Sequence, residues 1–423
     1  MLSLVELIRL HQNSKGNPGE IAGDRIDNDR NGYVDDLFGW NFGAGQNNNN
    51  VLPGTRDPGQ AHGTHVAGTI AAEYNGFGTT GVAPNAKIMA LRISDVRGNR
   101  FTNPGNLAEA IRYAVNNGAK VINMSLGWTE SPELINALNY AASRNVITVS
   151  AAGNSGLAAP AAPAKYATHL GISVGAIDFY GRIATFSNRA GFDSRMQHVV
   201  APGVGVWSTM PTNFSKWYDT MNGTSMAAPH VAGVIALMLQ RNRSLTQSQI
   251  LDYLTKTARR DSFTGASPNA TWGYGKLDAK AAVDLVTPPQ LKVVSLYEYH
   301  AQDPAGRWRF FYSRAANVMD GWTRSGREFL VIGEKAEDAI PVYRFSADTP
   351  WRFQYSRSIN AGGDGWHNDG IAFYAYANAA FNRRPIYQYS APNPWRFRYS
   401  PEASLPDPGW RNDGVAFYIP TSR

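Results

Sequence analysis

A chain of 423 residues without a single cysteine excludes disulfides, thiol catalysis and thiolate metal sites, and its length points to two domains. The net charge of +7 is scattered and forms no basic block or stripe, which argues against a nucleic-acid partner. No apolar run approaches the roughly 18 residues that a membrane span requires.

The opening MLSLVELIRLHQNSKG is a poor signal peptide, because Glu6 interrupts the apolar run and no small-residue cleavage site follows. GDRIDNDRNGYVDDLFGWNF (23–42) puts Asp27, Asp29 and Asn31 at alternate positions, with Gly32 for a sharp turn and Asp35 or Asp36 closing the loop. That is the oxygen spacing of a calcium loop, lacking the late glutamate; a solvated acidic turn is the alternative. QAHGTHVAGTIAA (60–72) then sets His62 and His65 on one helix face. A shared metal needs a third ligand, and HGTH has no HExxH glutamate. The pair is therefore either packing or part of a catalytic apparatus.

From about 87 to 286, strand-like and helix-like segments alternate. KIMALRIS (87–94) reads as a strand and NLAEAIRYAVNNG (106–118) as a helix. AKVINMSLG, PELINALNYAASRN and VITVSAAGN continue as strand, helix and strand. ISVGAID and HVVAPGVGVWSTM extend the strand series, and SMAAPHVAGVIALMLQ (225–240) and TQSQILDYLTKTA read as helices. Such alternation predicts βαβ units on a parallel sheet, with functional residues at the carboxyl ends of the strands.

At TPPQ (287–290) the pattern changes to a proline-stiffened linker. Beyond it, Trp-Arg-Phe strands start at Trp308, Trp351 and Trp395, and Gly-Trp pairs end at Trp322, Trp366 and Trp410. Glycines (Gly326, Gly370, Gly414) and phenylalanines (Phe329, Phe373, Phe417) follow at fixed distances, giving three all-β repeats. Alternation in WRFQYS and WRFRYS puts Trp, Phe and Tyr on one face, so Trp351 and Trp395 are expected in a threefold core. GWHNDGIAFY and GWRNDGVAFY resemble three-repeat β-trefoil-like domains attached to secreted bacterial hydrolases. The domains are expected at 1–286 and 291–423.

The histidine question is answered by residues far along the chain. NGTSMAAPHVAG (222–233) sets Ser225 at the mouth of a small-residue helix, and SAAGNSG (150–156) ends a strand at Asn154. A serine nucleophile needs a base such as His62 and donors where the oxyanion forms. In the order AHGTHVAG, SLG, AAGN, GTSMAAPHVAG, the chain resembles the subtilisin-like serine proteases, the subtilases, over about 17–286. That resemblance implies a three-layer α/β sandwich on a mostly parallel sheet, here followed by the all-β three-repeat β-trefoil-like domain. It also implies secretion and peptide-bond hydrolysis of proteins or peptides. His62 is then the general base, Ser225 the nucleophile and Asn154 the oxyanion-hole side chain. His65 and His230 are structural, and Ser125, Leu126 and Gly127 pair with an extended substrate. Trp128, where the family commonly has a small residue, either narrows a subsite or packs in the core. The 23–42 loop matches a segment in a branch of the same family, which implies a structural calcium.

One element of the family pattern is missing. The aspartate that orients the histidine ends an apolar strand and precedes Ser/Thr-Gly, and no carboxylate before His62 meets that description. Asp57 lies too close to reach the ring from behind. The expected aspartate falls just before Met1, so a chain with a late start, near-inactive and short of one sheet strand, is expected. The alternative is a non-catalytic protease-like scaffold carrying a carbohydrate- or surface-binding trefoil.

Overall fold

The computed structural model describes residues 4–9, 17, 19–43, 46–52, 61–93, 104–211, 214–288, 292–318, 320–336, 338–348, 351–361, 363–380, 382–392, 395–406 and 408–422. Two compact units divide at Pro288.

In the first unit, strands β1 (Leu4–Arg9), β2 (Gly39–Asn41), β3 (Lys87–Arg92), β4 (Val121–Met124), β5 (Ile147–Ala151), β6 (Ile172–Ile177) and β7 (His198–Pro202) form one sheet. Its order is β2-β3-β1-β4-β5-β6-β7. β2 is parallel to β3, and β4 to β7 are parallel in succession. Both faces of the sheet are covered. Along β4, Val121 joins the core beneath one set of helices and Ile122 the core beneath the other, as side-chain alternation in a doubly covered strand requires. Helices α2 (Pro104–Asn116) and α3 (Pro132–Ser143) pack with Ile122 and Met124 on one side.

The other face carries α1 (His62–Ala71) and the long α4 (Thr224–Arg241). α4 is rich in alanine and glycine because it is buried almost all round. A Cβ on its Gly233 would lie 2.6 Å from Val82 Cβ, so no larger residue fits that approach. α5 (Gln247–Thr257) begins at a capping box made by Thr246 and Gln249. α6 (Ala279–Leu285), which the periodicity did not announce, is started by the Asp278 side chain accepting from Ala281 N. The stretch HVVAPGVGVWSTM splits in two. Its second half, β8 (Val206–Thr209), leaves the main sheet and pairs antiparallel with β9 (Tyr218–Met221).

The expected gap in the sheet is not open. β1 lies between β3 and β4, antiparallel to both, with Val5 opposite Leu91 and Met124. Two facing rows of unpaired backbone groups are a template for any extended segment, and LVELIR satisfies both.

The second unit contains three three-stranded antiparallel repeats: β10 (Val293–Gln302), β11 (Trp308–Ser313) and β12 (Thr323–Ile332); β13 (Ala339–Asp348), β14 (Trp351–Ser356) and β15 (His367–Tyr376); β16 (Arg383–Ala391), β17 (Arg396–Ser400) and β18 (Arg411–Pro420). Gly326, Gly370 and Gly414 recur because each sits at φ of 83°, 91° and 98°, beside a register shift in its hairpin.

Three tyrosines close the repeats into a cycle. Tyr312 N donates to Tyr355 Oη (3.0 Å), which donates to Tyr312 O (2.6 Å). Tyr355 and Tyr399 repeat that exchange at 2.8 and 2.6 Å. Tyr399 and Tyr312 complete it at 2.9 and 2.9 Å. Each phenol thus satisfies the peptide group of a neighbouring repeat in the centre of the core.

The tryptophan expectation is corrected here. Trp308, Trp351 and Trp395 are 46%, 46% and 48% exposed, whereas Phe353 and Tyr355, on the same alternating face, are buried. The Trp-Arg-Phe motif starts where its strand emerges from the core, so the first ring of the stripe lies outside. The half-buried rings Trp322, Trp366 and Trp410 pack instead, each against the phenylalanine of the next repeat: Phe353, Phe397 and Phe310. Phe353→Ala in the full chain should therefore cost about 3–5 kcal/mol and Trp351→Ala under about 1 kcal/mol. Equal losses in denaturant titrations would return Trp351 to the core.

In the first unit, His198 is fully buried between β6 and β7, its Nδ1 2.9 Å from Ser173 Oγ. Burial, with help from the Arg189 charge, lowers its pKa to about 3. An unfolded histidine takes up its proton near pH 6.5, so this contribution to stability is full above that pH and is lost as pH falls toward 3. The denaturant midpoint should drop through that window, and His198→Gln should flatten the slope whatever it does to the level.

Candidate active site

Ser225 enters the site at the first turn of α4, where helix N–H groups lack intrahelical partners. Pro229 has no N–H to give to the Ser225 carbonyl four residues back. The Ser125 hydroxyl takes that role, donating to Ser225 O at 2.7 Å, while Ser225 Oγ donates to Ser125 O at 3.1 Å. Asn123 Nδ2 donates to Ser125 Oγ at 3.0 Å and holds it from the strand side. The carboxyl end of β4 and the N-terminus of α4 are thereby tied through two serines 100 residues apart.

Asn154 follows β5 through Gly153, which sits at φ 111°. A Cβ at Gly153 would lie 2.5 Å from Asn188 Nδ2. Asn154 Oδ1 accepts from both Thr224 N and Thr224 Oγ1, each at 2.9 Å. With the oxygen so occupied, the amide's N–H side faces the other way. A Cβ at Gly223 would stand 3.3 Å from Asn154 Nδ2 and 3.6 Å from Ser225 N. Two N–H donors thus border one small space that a side chain at 223 would fill. The sequence did not single out Thr224 as the residue orienting the asparagine, although it lies within the quoted GTS.

His62 is the first residue of α1 and is buried. Neither of its ring nitrogens has a hydrogen-bond partner among the described residues. Burial above all, then the charge of His65, lowers its pKa to about 3. The ring is therefore neutral at physiological pH and costly to protonate. Asp57 lies outside the described residues.

His65, three residues on, points elsewhere. Its Nε2 lies 3.0 Å from Val206 O and 3.1 Å from Asp219 O, and two carbonyl acceptors require that this nitrogen carry the hydrogen. It clamps α1 to the β8–β9 hairpin. Ser208 Oγ donates to the His65 carbonyl at 2.7 Å, and a Cβ at Gly68 would meet Thr209 Oγ1 at 2.1 Å. His230 Nδ1 lies 2.9 Å from Met226 O, one turn back in α4.

Beyond Ser125, Leu126 and Trp128 are buried in the core with Ala162 and Tyr166, so Trp128 packs inward. Gly127 between them has open space: the nearest atom to a Cβ there is Ala162 O at 4.0 Å.

The acidic loop brings together Asp27, Asp29 and a residue that the spacing had not included, Glu20, with ligand atoms within 4.8 Å of one another. Glu20 is buried and accepts from the amides of Asn28, Asp29 and Asp35. Asp35 itself turns to the amides of Gly23 and Arg25. Asn31 Nδ2 donates to Asp29, Asp36 and Asn117, and its Oδ1 accepts from Tyr33 N. The glutamate precedes the loop, and a search for one downstream had no signal to find it.

Residues 32–275 match a family model described as "Subtilase family", and residues 299–420 match one described as "Domain of unknown function (DUF5648)". M-protease of Shouchella clausii (strain KSM-K16) is 44% identical over 232 residues, 54% of this chain and 56% of its own length. Subtilisin Savinase of Lederbergia lenta is 43% identical over 232 residues, 54% of this chain and 80% of its own length. A solved protease structure from Pseudoalteromonas arctica PAMC 21717 shares 36% identity, over 53% of this chain and 71% of that one, at a TM-score of 0.47. The chain spans little more than half the length of M-protease. A match that takes in more than half of this chain, at the very segment that carries the two serines and the paired N–H donors, decides the assignment: the chain belongs to the subtilase family.

Proposed function

We propose that the first unit carries the apparatus of a serine endopeptidase that hydrolyses peptide bonds of proteins through an acyl-enzyme. The observation that carries this reading is the pair of donors, Asn154 Nδ2 and Ser225 N, bordering one space at the helix mouth beside the Ser225 hydroxyl. In this reading Ser225 Oγ attacks the scissile carbonyl and His62 takes its proton. The oxyanion forms between the two donors, and His62 returns the proton to the leaving amine. Ser125, Leu126 and Gly127 offer backbone to an extended substrate chain, and the open space at Gly127 supports this. The family resemblance further implies action outside the cell.

The step that His62 must take is the difficult one. Its imidazolium has no carboxylate beside it among the described residues, and burial disfavours the cation. We therefore read the 423-residue chain as near-inactive, short by roughly 10⁴ in kcat, the size of loss when a triad aspartate is replaced. An in-frame N-terminal extension ending in an apolar strand and Asp-Ser/Thr-Gly should restore turnover of a peptide substrate. His62→Ala and Ser225→Ala should abolish it, and Asn154→Ala should lower kcat by about 10²–10³ with little change in KM, a magnitude carried over from subtilisin, a relative. Robust turnover by the unextended chain would mean that another carboxylate serves His62.

The imidazole, unpartnered among the described residues, also favours a second reading, a non-catalytic protease-like scaffold. A phosphonylating probe that fails to label Ser225 even in the extended chain would select it. In either case we read the second unit as a β-trefoil-like accessory module for a carbohydrate or cell-wall ligand. The cyclic tyrosine exchange and the ring of exposed tryptophans support this.

The Glu20, Asp27 and Asp29 cluster fits calcium, because three carboxylates so close repel one another until a hard cation neutralises them. Asn31 turns its Nδ2 toward Asp29, and Asp35, included by the spacing, lies outside this group of three. Calcium should raise the melting temperature by binding the folded state, and Asp27→Ala with Asp29→Ala should remove the increment. Identical melting curves in calcium and in chelator would leave the loop a plain acidic turn.

A further inference from the structure

The three repeats meet at three junctions built on one plan, each with two facing positions that the sequence fills differently. At the first junction these are Phe311 and Arg344. The guanidinium lies over the Phe311 and Phe353 rings at 5.5 and 5.8 Å and donates to Asp369 at 2.7 Å. At the junction of the third and first repeats they are Arg398 and Glu298, a buried ion pair at 3.6 Å, with the guanidinium over Phe310. At the second junction both positions are glutamine, Gln354 and Gln388, and the space between the repeats is a groove of ≈ 640 Å³.

The walls of that groove are specific. Trp395, 48% exposed, and the half-buried Trp366 line it with indole rings. Between them stands an ordered polar set. The Asp413 carboxylate accepts from Gln388 Nε2 (3.1 Å), Ser390 Oγ (2.9 Å) and Arg411 Nε (2.9 Å). Gln388 Oε1 lies 2.9 Å from the Tyr399 hydroxyl oxygen, whose one proton goes to Tyr355 O.

Resting on the reading of this unit as a binding module, we propose that the groove between the second and third repeats binds a neutral pyranose unit of an oligosaccharide. An indole face matches the C–H face of a sugar ring, a flat apolar surface bordered by hydroxyls. A carboxylate, a guanidinium and a carboxamide held by one another present donors and acceptors to vicinal hydroxyls, the few convergent polar groups that fix orientation. Arg411 and Asp413 neutralise each other, so the groove carries no net charge to select an anion or a cation. At the other two junctions Phe311 with Arg344, and Arg398 with Glu298, occupy the corresponding positions.

The test uses the full chain on an array of neutral gluco-, galacto-, manno- and N-acetylgluco-configured oligosaccharides, with insoluble cellulose and chitin as retention matrices. The parent should be retained on at least one of them, and Trp395→Ala and Asp413→Asn should each weaken retention about tenfold or more. Trp308→Ala, the same ring at a filled junction, should leave it unchanged. Because a ring deletion can perturb folding, a second variant, Gln354→Phe with Gln388→Arg, rebuilds the first junction's filling in the groove. It should abolish retention at the parent's melting temperature. If Trp308→Ala weakens retention as much as Trp395→Ala, the groove is not the site, although the binding-module reading survives. A parent that ignores every neutral glycan overturns the proposal, and retention on a peptide or anionic matrix alone would show that the groove's chemistry has been misread.

Discussion

The first unit depends on one exchange of hydrogen bonds, Ser125 with Ser225 across the gap between β4 and α4. A proline inside α4 leaves a carbonyl without its helical donor, and a serine at the end of a central strand supplies one. That single substitution of partner fixes where the helix starts relative to the sheet. It places the first amides of α4, the Ser225 hydroxyl and the carboxyl ends of β4 and β5 at one point. Thr224, next in the chain, then reaches Asn154 and turns its amide. The site is assembled from backbone termini that have no better partners than one another.

The electrostatics of the site follow from the same packing. Burial that makes the donors effective also leaves His62 without solvent to stabilise a charge. In the proposed reading, a pocket that favours a developing oxyanion and disfavours an imidazolium needs a carboxylate behind the ring to balance it. The neighbouring His65 shows the contrast. It is just as buried but holds two carbonyls, and it works as a fastening between α1 and the β8–β9 hairpin.

Much of this is legible in the sequence. Strand-helix alternation from 87 to 286 predicts the sheet and the helices that cover it, because amphipathic and all-apolar periods report burial directly. As candidates, His62, Asn154 and Ser225 stand out as an ordered set of motifs and none of them alone, and the structure brings Asn154 and Ser225 to one space. What escapes is decided by tertiary context. Glu20 closes the acidic loop from upstream, so no forward spacing rule reaches it. β1 runs antiparallel to both β3 and β4, which depends on the backbone groups those strands offer and not on its own pattern. Trp351 and Trp395 share the alternation of a core stripe, but alternation gives the face of a strand and not how far along the strand the core extends.

The tyrosine cycle of the second unit also says something about how such a unit arises. A single repeat, taken alone, has one phenol with no peptide group to serve and one peptide group with no phenol to serve it. Two repeats in a row leave the same two ends unmet. Only the third member returns the chain of donors to its start, and closing it adds the last two bonds at once. A gene encoding one repeat would meet this requirement by self-association into a trimer, and fusion of three copies would remove the concentration dependence of that assembly. Once the copies are covalently ordered, their junctions are free to diverge, as the three different pairs at the repeat boundaries have done.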